Sequence, residues 1–186
     1  GIPRKELLGY LREAAEVLDF MNRRHGLQHL DIKPRNLFLV SQHVKVADYG
    51  LVKSLAERHK DSGPLLLAGV TPLYAAPEVF NGQIADTSDQ YSLAVTFQEL
   101  LTGTLPIQGR NPRQLMMNHL TAAPQLDALP EPDRAILARA LSKEPEQRYP
   151  SCLDFINALT AGPSIYVSAP PSVPVVKTAA PASAGV

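Results

Sequence analysis

Apolar residues near the start of the chain recur at the spacing of a helix. Pro3 suits a first helical turn, and Gly26 ends the pattern. Between them the apolar positions follow steps of three and four residues: Leu7, Leu8, Leu11, Ala14, Ala15, Leu18 and Met21. This periodicity predicts one long amphipathic helix.

The pattern then changes to short apolar runs. Leu37 to Val40 and Val44 to Val46 read as two strands joined by residues 41–43. From Asp48 to Glu78 the sequence is irregular, and Gly63-Pro64 and Gly69 interrupt it. We therefore expect one small β-hairpin followed by a loop-rich segment.

Helical periodicity returns in the second half of the chain. Four helices are predicted, with Asn111 and Ser151 as N-caps. Their approximate bounds are Ser88 to Leu101, Pro112 to Leu120, Glu131 to Leu141 and Ser151 to Leu159. The fold class expected is mainly α with one small β-hairpin.

The composition changes again near the end of the chain. Five prolines are mixed with alanine and serine after Gly162, and Lys177 is the only charged residue there. Such a segment cannot bury enough apolar surface to offset the entropy lost on ordering. We predict a folded domain over residues 1–161 and a disordered Pro/Ala-rich linker over residues 162–186.

Overall composition narrows the classes of function. The 186 residues include 45% hydrophobic residues and carry a formal net charge of zero. This balance gives no electrostatic basis for binding nucleic acid or an anionic membrane. The five histidines and single cysteine do not cluster at metal-ligand spacing, and no apolar run is long enough to span a bilayer. We expect a cytoplasmic location, and tethering to a membrane beyond the linker stays open.

Chemically useful side chains concentrate between residues 29 and 50. The run His-Leu-Asp-Ile-Lys-Pro-Arg-Asn covers residues 29–36, and Asp48 follows Asp31 by seventeen residues. Asp31 is suited to accept a hydroxyl proton, while Asn36 and Asp48 offer hard oxygen atoms that Mg²⁺ prefers.

These residues resemble the catalytic and metal-binding loops of eukaryotic-type (Hanks-type) serine/threonine protein kinases. Later landmarks agree in order: Ala76-Pro77-Glu78, then Asp89, then Arg148. The resemblance implies the large, carboxy-terminal lobe of a kinase, similar to bacterial signalling kinases. It also implies ATP and Mg²⁺ as cofactors and a protein substrate as the partner.

The same resemblance implies roles for single residues of the site. Asp31 would be the catalytic base, and Lys33 would stabilise the γ-phosphate. Asn36 and Asp48 would bind magnesium. Phe38 would lie beneath the adenine ring, and Thr71 would contact both Asp31 and Lys33, a mark of serine/threonine specificity.

Other matched residues would be structural. Within the loops these are His29, Tyr49 and Gly50. Glu78 and Arg148 would form a buried ion pair, and Asp89 would accept hydrogen bonds from the backbone of the catalytic loop.

Two departures from the family pattern qualify the resemblance. Leu30 stands where many kinases have arginine, so phosphorylation of Ser54 or Ser62 is not expected to switch activity on through that site. The sequence also lacks the glycine-rich loop and strand lysine of the small lobe. The small lobe is therefore expected to be absent, and the fragment alone should show little or no kinase activity.

Two other functions remain open at this point. A non-catalytic pseudokinase or scaffold would bind partners through helical surfaces, but it has no chemical need for the four polar residues Asp31, Lys33, Asn36 and Asp48. Small-molecule phosphotransferases also use a His-x-Asp loop, although Ala76-Pro77-Glu78 and Asp89 are protein-kinase features.

Overall fold

Helices dominate the computed structural model, which describes residues 1–54 and 70–162. The helices are α1 (Arg4–His25), α2 (Pro77–Phe80), α3 (Ser88–Thr102), α4 (Pro112–Thr121), α5 (Glu131–Ala140) and α6 (Cys152–Ala161). The strands are β1 (Leu27–Gln28), β2 (Leu37–Val40), β3 (His43–Val46) and β4 (Lys53–Ser54). Single 3₁₀ turns cover Pro34–Asn36, Tyr49–Leu51 and Pro145–Gln147. The mainly helical fold class with a small hairpin is confirmed.

The core forms where α1 packs against α3 and α6. The predicted apolar face of α1 is buried, apart from the partly exposed Met21. Residues 88–98 of α3 are all buried, so this helix is surrounded by protein over most of its length. A central helix that is enclosed over most of its length gives the surrounding loops a rigid support.

Predicted helix ends agree with the structure. Gly26 adopts a left-handed φ of 61°, and its N–H donates to the Asn22 carbonyl over 2.8 Å. Asn111 and Ser151 both cap as expected, each accepting a hydrogen bond from the backbone N–H three residues later.

A further cap for α6 was not predicted from the sequence. The Asp19 carboxylate, on α1, accepts hydrogen bonds from the N–H groups of Cys152 at 2.9 Å and Leu153 at 3.1 Å. A carboxylate is favoured at this end of a helix because the N-terminal N–H groups lack partners and carry partial positive charge. This contact fixes α6 along α1.

The predicted hairpin is present, with a tighter turn than expected. Strands β2 and β3 pair antiparallel from Leu37 opposite Val46 to Val40 opposite His43. Only Ser41 and Gln42 form the turn, both at positive φ, whereas the sequence predicted a connection of three residues. The pairing brings residues 36 and 47 together at the open end of the hairpin.

The segment from Asp48 to Glu78 is more regular than predicted. It includes a 3₁₀ turn at Tyr49–Leu51, strand β4 paired with β1, and the start of α2 at Pro77. The β1–β4 pair was missed because two-residue strands have no periodic signature. Gly63-Pro64, Gly69 and the predicted linker after Gly162 lie outside the described residues.

Across the two ranges the structure describes, none of the helices has both the length and the apolar character needed to cross a membrane.

Candidate active site

Asp89, in the first turn of α3, anchors the loop between β1 and β2. Its carboxylate accepts hydrogen bonds from the backbone N–H of His29 at 2.7 Å and of Leu30 at 2.8 Å. Burial raises the pKa of Asp89, while these two hydrogen bonds act to lower it. The start of the loop is thereby fixed on the central helix.

His29 connects this loop to the end of the hairpin. Its ring is fully buried, and Nδ1 accepts a hydrogen bond from the Asp31 N–H at 3.3 Å. The Nε2 atom therefore carries the proton and donates to the Ala47 carbonyl at 3.1 Å. The ring also packs on Tyr49, with ring centres 5.0 Å apart. Both nitrogens are occupied by backbone partners, which suits a positioning role.

Three side chains converge on the carboxylate of Asp31. Lys33 Nζ lies 2.6 Å from Oδ2, and Asn36 Nδ2 lies 3.0 Å from the same oxygen. Thr71 Oγ1 donates to Oδ1 at 2.8 Å and accepts a hydrogen bond from Lys33 Nζ at 2.7 Å.

The contacts leave the Asp31 carboxylate with capacity for one more proton donor. A carboxylate has about four lone-pair positions, and the three hydrogen bonds occupy all but one of them. Asp31 is only 5% exposed, so its orientation is fixed by these neighbours. Chemically, this is a carboxylate that can orient and deprotonate a hydroxyl group.

Asn36 and Asp48 lie at the open end of the hairpin. The Ala47 N–H donates to the Asn36 carbonyl at 2.9 Å, which brings the residue before Asp48 against Asn36. The Asn36 amide nitrogen donates to Asp31, and in the described ranges neither its amide oxygen nor the Asp48 carboxylate has a hydrogen-bond partner.

Asp48 is exposed and therefore open to a ligand. It adopts a left-handed φ of 65°, and a Cβ atom on Gly50 would approach its Oδ1 to 3.3 Å. These donors fit Mg²⁺, which prefers oxygen ligands and commonly takes only one or two from the protein. No group of three or more His, Cys, Asp or Glu side chains within the described ranges could hold a metal ion.

Several apolar side chains near this end of the fold are exposed. Phe38, Leu39 and Val40 of β2 are each about half exposed, as is Tyr49. Phe38 is therefore accessible to a ligand and is not buried in the core.

Glu78 and Arg148, which are seventy residues apart in the sequence, form an ion pair with two hydrogen bonds. Arg148 Nη1 and Nη2 lie 2.8 and 2.7 Å from the two carboxylate oxygens of Glu78. Ser88 Oγ donates to the same carboxylate at 2.7 Å. The pair holds α2, which follows the Thr71 segment, against the helical core.

Leu30 is buried and has a left-handed φ of 65°. Ser54 lies in β4, while Ser62 is outside the described residues. Leucine has no group that could pair with a phosphate.

Sequence reasoning overlooked several polar residues around the site. Gln28 Oε1 accepts a hydrogen bond from the Asp89 N–H at 3.1 Å, and the Tyr74 hydroxyl donates to Glu99 Oε2 at 2.7 Å. Arg35 is exposed beside Asn36. Of these residues, only Arg35 could have been noticed from the sequence, because it lies inside the 29–36 run.

Comparison with known proteins gives consistent matches. The family model described as "Protein kinase domain" matches residues 1–162. Serine/threonine-protein kinase PknF of Mycobacterium tuberculosis is 36% identical over 169 residues, covering 86% of this chain and 35% of PknF. Serine/threonine-protein kinase Pkn1 of Myxococcus xanthus is 38% identical over 161 residues, covering 78% of this chain and 23% of Pkn1. The chain thus spans about a third or less of the length of these relatives.

Proposed function

This chain belongs to the protein kinase family, in its Hanks-type serine/threonine branch, and from that premise we propose that it is the large lobe of a serine/threonine protein kinase. In the full-length protein it would transfer the γ-phosphoryl group of ATP to serine or threonine hydroxyls of a protein substrate. Its serine/threonine kinase relatives support this proposal.

The observation that carries the proposal is the convergence of Lys33, Asn36 and Thr71 on Asp31. A loop aspartate that merely capped a turn would have no need of a lysine, an amide and a hydroxyl at one carboxylate. The arrangement leaves Asp31 one acceptor position for the hydroxyl of the substrate. Positioned acid–base help of this kind contributes about 10²–10⁴ in rate.

Lys33 would hold a positive charge beside Asp31, and Thr71 would orient the Asp31 carboxylate. The Lys33 ammonium lies between Asp31 and the Thr71 hydroxyl, so a positive charge is held where negative charge develops during transfer. Thr71 orients Asp31 from the side of the segment that leads to α2.

Asn36 and Asp48 would hold Mg²⁺ through the amide oxygen and the carboxylate, neither of which has a hydrogen-bond partner among the described residues. Bound Mg²⁺ and ATP supply the transferable phosphoryl group and neutralise its charge. Phe38, half exposed beside Asn36, would support the adenine ring.

The remaining parts of the proposal concern the whole protein. The glycine-rich loop and strand lysine would belong to a small lobe, residues 162–186 would be a linker, and the kinase lobe would lie in the cytoplasm. The exposed side chains of β2 support the first of these, because Phe38 and Val40, which lie on one face of the strand, offer apolar contacts to a covering lobe.

The test is phosphate transfer from labelled ATP to an unstructured generic protein by the full-length natural protein. Asp31→Asn keeps the shape and removes the base, so labelling should fall about 100-fold or more. Asp127→Asn, an exposed carboxylate between α4 and α5, is the matched control and should stay near wild type. Equal labelling by wild type and Asp31→Asn would contradict the catalytic assignment and favour the scaffold.

A further inference from the structure

A shallow groove follows the outer face of α1, outside the candidate active site. It consists of two neighbouring cavities of about 390 and 540 Å³ that share Glu16 and Phe20, and we call it the α1 groove. It extends from Leu153 at the start of α6 to Val44 of β3. Phe20 is 61% exposed, whereas the opposite face of α1 is buried in the core. A concave surface with an exposed aromatic side chain is typical of a docking site.

The charges around the α1 groove balance one another. Among the described residues, its lining has three carboxylates and three permanent cations: Glu13, Glu16, Asp19, Arg23, Arg24 and Lys45. Asp19 caps α6, and Glu13 accepts a hydrogen bond from the Val44 N–H at 2.8 Å. Glu16 is exposed, and its ion pair with Arg12 spans 3.7 Å between two exposed side chains, so it contributes little stability. Glu16 can therefore exchange Arg12 for another cation, and the groove suits a mainly apolar segment with one positive charge.

The chain that follows α6 starts close enough to reach the α1 groove. Helix α6 runs antiparallel to α1: it begins at the Asp19 cap and ends where Arg4 Nη2, in the first turn of α1, donates to the Leu159 carbonyl at 2.7 Å. Gly162, the last described residue, lies nine residues after Leu153. At the rise of an α-helix this separation is about 14 Å. A segment that docks in the groove must therefore span at least this distance from Gly162.

Residues 173–177, Val-Pro-Val-Val-Lys, match both the groove and the distance. Their valines can contact Phe20, and Lys177 is the only charged side chain among residues 163–186. Pro174 restricts the backbone, which lowers the entropy lost on docking. A flexible chain of eleven to fifteen residues has a root-mean-square length of about 17–23 Å, so this segment reaches the groove without being stretched. Residues 165–167 are also apolar, but at three to five residues from Gly162 they would need an almost fully extended chain.

We propose that residues 173–177 dock in cis on the α1 groove, with the valine side chains against Phe20 and Lys177 beside Glu16. A short tether gives the segment an effective concentration on the order of 1 mM at the groove. A contact with a Kd of about 1 mM for the free segment would then occupy about half of the molecules. Docking holds part of the linker on the outer face of the lobe and shortens the part that stays free. It is independent of the chemistry at Asp31.

The test places the photo-crosslinking amino acid p-benzoylphenylalanine at Thr178 of the full-length natural protein, next to the docking segment. Irradiation, digestion and mass spectrometry identify the part of the chain that this side chain contacts. The expected product joins position 178 to the α1 segment around Phe20 or to the start of α6. Its yield should not change on dilution, because the reaction is intramolecular. The same amino acid at Ala184 is the control within the tail and should give little of this product.

Charge reversal then tests the contact between Lys177 and Glu16. With the crosslinker at position 178, Glu16→Lys or Lys177→Glu should each lower the yield about two- to fivefold, and the double variant should recover it. Phe20→Ser should lower the yield further, because it removes the aromatic contact. Asp127→Lys, at an exposed position between α4 and α5, is the matched control and should leave the yield unchanged. Since Glu16 and Phe20 are exposed, all variants should unfold within about 2 °C of wild type.

The proposal is overturned if position 178 crosslinks to no part of the α1 groove, or if Glu16→Lys lowers the yield no more than Asp127→Lys does. A product of twice the protein's mass, with a yield that rises with concentration, would assign the groove to the tail of a second copy and overturn docking in cis. A groove product from the crosslinker at Tyr166, with none from position 178, would overturn the choice of residues 173–177.

Discussion

Replacing Arg148 with methionine would test how the α2 segment is held on the core. The Arg148 guanidinium is buried and makes five hydrogen bonds. Two go to the Glu78 carboxylate, and the others go to the carbonyls of Ser142, Thr87 and Lys143. Methionine fills part of the volume and satisfies none of these acceptors.

The loss of stability in Arg148→Met follows from the Glu78 carboxylate, which stays buried without its cation. Glu78 is 7% exposed and, among the described residues, would keep only the Ser88 hydroxyl as a side-chain partner. Breaking a buried ion pair by removing one partner costs about 3–5 kcal/mol. At about 2–4 °C per kcal/mol for a lobe of this size, the unfolding midpoint should fall by about 6–20 °C.

A second variant separates the stranded charge from the lost packing. Adding Glu78→Gln to Arg148→Met removes the uncompensated carboxylate, so the double variant should be more stable than Arg148→Met alone. Thermal unfolding of the full-length protein, followed by circular dichroism, measures both. Arg113→Met, at an exposed position on α4, is the control and should change stability by about 0.5 kcal/mol or less.

The reasoning is refuted if Arg148→Met unfolds within about 2 °C of wild type. It is also refuted if the double variant is no more stable than the single one.

Three further predictions concern the site and two buried bases. Thr71→Val should lower kcat of the full-length protein while Thr71→Ser keeps most of it, because only the hydroxyl bridges Asp31 and Lys33; equal loss in both would show that the methyl group matters instead. Burial lowers the pKa of His119 from 6.5 to about 4. The unfolded chain therefore takes up this proton first, and the free energy of unfolding should fall by about 3 kcal/mol between pH 6.5 and 4. His119→Gln should flatten that decline in denaturant titrations, and an unchanged slope would contradict the assignment. Lys143 has a pKa lowered to about 8, first by burial and then by Arg148, and its ammonium lacks a hydrogen-bond partner in the described ranges. Lys143→Met should therefore keep or raise the unfolding midpoint at pH 7, and a clear drop would argue against an unfavourable charge.

Much of the fold could be predicted from the sequence because local rules apply to it. The long helix before the loop, the hairpin and the four later helices follow from periodicity and from N-caps such as Asn111 and Ser151. Those signals act over a few residues, so they survive without knowledge of the rest of the chain. The β1–β4 pair and the Asp19 cap on α6 could not be predicted, since each joins residues far apart in sequence.

The candidate site likewise has some features that follow from the sequence and others that depend on the tertiary structure. The order and types of residues in the 29–36 run, with Asp48 following, were sufficient to predict a carboxylate base and oxygen ligands for magnesium. Only the tertiary structure determined that Thr71 contacts Asp31 and that Glu78 meets Arg148. The chemical capacity of a side chain is encoded locally, whereas its neighbours depend on how the whole chain packs around α3.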